Sequence, residues 1–61
     1  MQDLNILELQ NLKTLINIQN IKYQKLLNYS DYAVDPQIKQ IFNKAAQDAL
    51  STKQQLLEFL L

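Results

Sequence analysis

The chain contains no glycine, and its only proline is Pro36. Without a residue that accepts positive φ at little cost, tight β-hairpin turns and glycine-rich phosphate loops are disfavoured, whereas helices need neither. The one strong punctuation mark falls near the middle of the sequence, where Asp35 precedes Pro36. Steric conflict with the proline ring pushes the preceding residue out of the helical region, so one helix must end before Asp35 and another begin at Pro36. Asp35 is the expected N-cap. Its carboxylate can accept a bond from a free amide of the first turn, proline lacks the amide that would be orphaned there, and the negative charge suits the helix dipole.

Both flanking segments carry helical periodicity. From about residue 4 to 33, Leu4, Leu9, Leu12, Leu15, Ile16, Ile18, Tyr23, Leu26, Leu27, Tyr29 and Ala33 gather on one half of a helix. Gln10, Lys13, Asn17, Asn20, Gln24 and Asn28 occupy the opposite half. From 36 to about 60, Ile38, Phe42, Ala45, Ala49, Thr52, Leu56 and Phe59 are spaced alternately four and three apart, a heptad seam. The expected fold is all-α, a single antiparallel two-helix hairpin with its turn at about 34–35. Leu12, Ile16, Gln19, Tyr23 and Leu26 on the first helix, with the second helix's seam, are its expected core and interface.

A chain of 61 residues is marginal as a single core, and this one has neither cysteine nor histidine to supply a disulfide or an imidazole-bound metal. Oligomerisation is the remaining route to stability. The apolar stripes are wider than one hairpin can cover, so two hairpins are expected to pair as a homodimeric four-helix bundle. The apolar run at 56–61 adds to that expectation, because a monomer would leave it in water.

The same composition narrows function. Six lysines and no arginine balance six acidic residues, leaving no net field to gather phosphates, and arginine-based base recognition is absent; nucleic acid is not an expected partner. No apolar run approaches the roughly 20 residues that span a bilayer, and the start lacks the basic segment of a secretory leader, so a cytoplasmic protein without a membrane partner is expected. No histidine base, cysteine nucleophile or glycine-rich phosphate cradle is available, and the carboxylates are scattered, so the chain is expected to be non-enzymatic and without cofactor or metal. Glu8, at the margin of the first apolar stripe, is read as a partner of the helix dipole. Gln19, in the middle of that stripe, is read as a register-fixing polar residue bonded to Tyr23 or across the bundle. Lys22, Lys39 and Lys53 interrupt the apolar faces and are expected to lay their stems along them while the ammonium groups reach water.

The stretch Asn28-Tyr29-Ser30-Asp31-Tyr32-Ala33-Val34-Asp35-Pro36-Gln37-Ile38-Lys39-Gln40-Ile41-Phe42 resembles the middle of spore coat protein F-like proteins, members of the wider ferritin-like group of helical bundles. In those proteins a tyrosine-rich helix end leads into an Asp-Pro, a Leu and then a Leu-Phe pair opening the next helix, and the similarity covers about residues 12–60. Ferritin-like ancestors place a glutamate on the first helix and a Glu-x-x-His on the second, all inward and metal-binding. Aligned on Asp-Pro, those positions fall at Gln19, Ala49 and Thr52, none of which supplies the family's anionic or imidazole ligand. The resemblance implies half of a ferritin-like bundle restored by dimerisation, without metal, in contact with other helical coat proteins and assembled onto the spore surface. The alternative is a small regulatory hairpin like the sporulation-control phosphatases. Their Ser-Gln-Glu-Leu-Asp run has its nearest counterpart here in Ala46-Gln47-Asp48-Ala49-Leu50-Ser51, which departs from that order.

Overall fold

Asn5 opens the first helix by a reciprocal arrangement. Its Oδ1 accepts from the Glu8 amide at 2.7 Å, while its own amide donates to Glu8 Oε1 at 3.3 Å, so two backbone donors that a helix start leaves free are satisfied together. In the computed structural model, which describes residues 4–60, this cap leads into α1, Ile6–Tyr32, followed after three residues by α2, Pro36–Glu58. The first helix is therefore shorter at both ends than the expected 4–33, because the cap at Asn5 fixes its start and Ala33 leaves it. The second ends at Glu58 rather than 60. Phe59 and Leu60 form a turn whose amides donate to the carbonyls of Leu56 and Leu57 at 3.1 and 3.0 Å. Leu61 of the apolar run, and Met1, Gln2 and Asp3, lie outside the described residues.

The reversal between the helices needs no glycine. Ala33 adopts an extended conformation, φ −70° and ψ 131°, and its amide donates to the Tyr29 carbonyl at 3.0 Å and to the Ser30 carbonyl at 3.2 Å. Asp35 is also extended, and its carboxylate accepts from the Gln37 amide at 2.7 Å, with Pro36 in the first helical turn. No described residue has positive φ. The chain thus turns back through extended backbone that any L-residue can adopt.

The two helices pack along their length as an antiparallel pair, with residues 4 and 60 at the end opposite the turn. The core between them is thin. Among the described residues Leu12, Ala46 and Ala49 are the buried apolar ones, Ser30 is the buried polar one, and no large side chain is wholly buried. The hairpin is a rod of 46 × 14 × 11 Å with a radius of gyration of 14.2 Å, whereas a compact domain of this length has about 10.5 Å. Its accessible surface is 4829 Å², against about 4,100 Å² for a compact monomer of this mass. The excess of about 700 Å² follows from packing two helices in one layer and is close to what one partner gives up in a standard protein interface.

Candidate interaction surface

Each helix carries two heptad-spaced rows, and the hairpin uses one of each. On α1 the inward row is Leu12, Ile16, Gln19, Tyr23, Leu26 and Ser30, all buried or half-buried. On α2 it is Phe42, Ala46, Ala49, Lys53, Leu56 and Leu60, likewise buried or half-buried. The contact is closest where α2 presents alanines: Ala46 is wholly buried and Ala49 is 3% exposed. Towards the turn the Tyr29 and Phe42 rings meet at 5.6 Å between centroids, tilted by 57°, a favourable edge-biased geometry. Beside them the buried Ser30 hydroxyl donates to the Lys39 carbonyl in the first turn of α2, at 3.4 Å.

This packing corrects the expected α2 seam, which ran through Ala45 and Thr52. The helix is rotated so that Ala46 and Lys53 take those places, and Ile38, Thr52 and Phe59 are exposed on the single hairpin. Two hydrogen bonds account for the rotation. Thr52 satisfies its hydroxyl within its own helix, donating to the Asp48 carbonyl at 3.0 Å, and so needs no partner across the hairpin. Lys53 instead donates to Asn20 Oδ1 at 3.0 Å in a part-buried contact. Asn20, placed by periodicity on the polar half of α1, therefore faces α2, and Lys53 ends on a side-chain amide rather than in water. The side-chain pair that bonds across the hairpin is this one and not Gln19, which is half-buried, while no buried side-chain polar atom among the described residues lacks a partner.

The positions aligned with ferritin-like ligands consequently do not converge. Gln19 and Ala49 lie in the inward rows, but Thr52 stands on the outer side of α2. No group of three or more His, Cys, Asp or Glu among the described residues could hold a metal ion together. Glu8 is committed to the Asn5 cap, a pairing that the Asn-x-x-Glu spacing at the start of the apolar periodicity could have disclosed.

The second row on each helix remains uncovered. On α1 it is Asn11, Leu15, Ile18, Lys22, Lys25 and Tyr29; on α2 it is Ile38, Ile41, Ala45, Asp48, Thr52, Gln55 and Phe59, and of all these only Ala45 is even half-buried. Helical periodicity in an antiparallel pair brings the two rows to the same side of the hairpin. The grooves on that side agree. One, of about 320 Å³ at the open end, is lined by Leu4, Glu8, Asn11, Leu12 and Leu15 of α1 with Leu56 and Phe59 of α2. A second, of about 380 Å³, lies along α1 between Ile18, Ile21, Lys22, Lys25, Leu26 and Tyr29.

The face is apolar towards both ends and charged in the middle. Ile18 is 49% exposed, Tyr29 51% and Ile41 61%, so large hydrocarbon surfaces stand in water. Among the described residues the Asp48 carboxylate is paired with Lys44, one helical turn away at 3.9 Å, and both side chains are mostly exposed, which makes this ion pair weak and readily exchanged. No described helix is long and apolar enough to cross a membrane. Comparison with protein-family models, with curated proteins and with solved structures gives no match.

Proposed function

We propose that this chain is a structural and interaction protein, without catalytic activity, that works as a homodimeric four-helix bundle. The observation that carries this reading is the second pair of heptad rows, which lies uncovered on one side of a hairpin whose own core is little more than Leu12, Ala46 and Ala49. A heptad row exists to pack against another helix, and a layer of two helices becomes self-sufficient when a second layer covers it. The surface excess of about 700 Å² over a compact monomer matches the scale of one side of a stable interface. The spore coat F-like resemblance around Asp35 and Pro36 supplies the setting: a bundle that packs with other helical proteins at the spore surface.

Sedimentation equilibrium at micromolar concentration tests the bundle, with twice the chain mass of 7.2 kDa expected. A folded monomer at that concentration would rule the reading out. The setting is tested separately by following expression through sporulation and probing coat extracts for the protein; constant expression in growing cells and absence from the coat would remove it.

A further inference from the structure

The uncovered face carries its own instructions for how a second copy sits on it. Two contacts give the relative height of the helices: Asn20 meets Lys53, and Tyr29 meets Phe42. Interpolating between them puts Asp48 of α2 level with the stretch of α1 between Lys22 and Lys25. Both sets of charges belong to the outer rows, on the same side of the hairpin and at the same height.

We infer that a second copy of this chain docks on this face with its turn at the same end, about a two-fold axis parallel to the helices, so that Lys22 and Lys25 of each copy meet Asp48 of the other. This rests on the homodimer proposed above and adds its geometry. A two-fold axis along the helices sets α1 of one copy against α2 of the other at equal height, and the lysines then face the partner's Asp48 in two symmetry-related places. The apolar residues on either side of that charged belt fall opposite one another as well, Tyr29 against Ile41 of the second copy and Leu15 against Phe59. Turning the second copy end for end sets α1 against α1 and α2 against α2. The belts then bring lysines towards lysines and Asp48 towards its own counterpart, a like-charge juxtaposition that selects against that arrangement. Asp48 gives up little to make the new contact, since its bond to Lys44 is long and exposed.

The chain has no cysteine, so single-cysteine variants report proximity without background. Protein carrying Ile41→Cys is mixed in separate reactions with Tyr29→Cys and with Phe59→Cys protein, then treated with a short thiol cross-linker. Cross-linking of Ile41→Cys to Tyr29→Cys, with little to Phe59→Cys, is the expected result. The reverse preference, in a protein that still sediments as a dimer, would overturn the geometry and leave the dimer standing; a monomer would overturn both. Charge exchange gives an independent reading. Asp48→Lys alone, and Lys22→Glu with Lys25→Glu alone, should each weaken self-association by about tenfold at low salt. Mixing the two variants should recover it, because both belts are then complementary. No recovery on mixing would overturn the pairing.

Discussion

Lys53 and Asn20 form a side-chain hydrogen bond between the two helices, an ammonium donating to an amide oxygen at 3.0 Å over a part-buried seam. The pair contributes to both the rotation and the height of α2 against α1, together with the Tyr29–Phe42 contact and the close approach at Ala46. Hydrophobic contact alone would leave these loosely set, because alanine flanks the seam at both 45 and 46. Replacing Asn20 with alanine should cost about 1 kcal/mol by leaving the ammonium short of a partner. A double-mutant cycle with Lys53→Met, read by urea unfolding at fixed protein concentration, should return a coupling of about 0.5–1.5 kcal/mol. Additive effects of the two substitutions would show that the contact contributes nothing.

The adjacent alanines should respond differently to enlargement. Ala46 is wholly buried against α1, so Ala46→Leu forces the helices apart and should destabilise by about 1–3 kcal/mol. Ala45 is half-buried at the margin of the outer row, and Ala45→Leu should cost less in the same unfolding measurement. Equal costs would contradict the observed rotation of α2.

Two caps at opposite ends of the hairpin should act independently. Asn5→Ala and Asp35→Ala each remove a side-chain acceptor 2.7 Å from a backbone amide, and each should cost about 1 kcal/mol. With no shared partners their effects should sum to within about 0.5 kcal/mol in the double variant, as read by thermal or urea unfolding.

A charge placed in the outer row should separate the copies without opening the hairpin's inner seam. Ile41→Lys adds an ammonium where 61% of the isoleucine is in water, so the single hairpin is little disturbed. Burying that ammonium between hairpins is strongly opposed. Self-association measured by sedimentation should weaken by more than about tenfold.

The turn offers a test of backbone conformation. Val34 is 97% exposed and no described residue has positive φ, so Val34→Gly gains nothing in the folded state and frees the unfolded chain. It should destabilise by about 0.5–1 kcal/mol, whereas Val34→Thr should be nearly neutral. Stabilisation by glycine would mean that the link is strained.

The hairpin itself was legible because its signals are local. Asp35 before Pro36 dictates a helix start by sterics, and the absence of glycine leaves a chain little else to form. The rotation of α2 was not legible, for a physical reason: its apolar stripe is wide enough to hold two overlapping heptad rows. The row through Ala45 and Thr52 reads as the more apolar of the two, because the other passes through Lys53. What decides between them is a contact with Asn20, far away in sequence, and a close approach at Ala46 that depends on the helix opposite. The Asn5 cap belongs to neither case, since its pairing with Glu8 is local and simply lies beneath the stronger apolar pattern that begins at Leu4.

Because the chain reverses once, residues 4 and 60 finish at the same end of the rod. If the second hairpin sits with its turn at the same end, residue 60 of one copy and residue 4 of the other also lie at one end of the bundle, and a short linker suffices to join the copies. Two tandem repeats of this sequence would then fold as one continuous four-helix polypeptide, with the inter-copy contact converted into an intramolecular one whose stability no longer depends on concentration. In the end-for-end arrangement the same junction would have to run the 46 Å length of the rod. The shortest linker that yields a monomeric, cooperatively unfolding tandem therefore measures the topology of the pair.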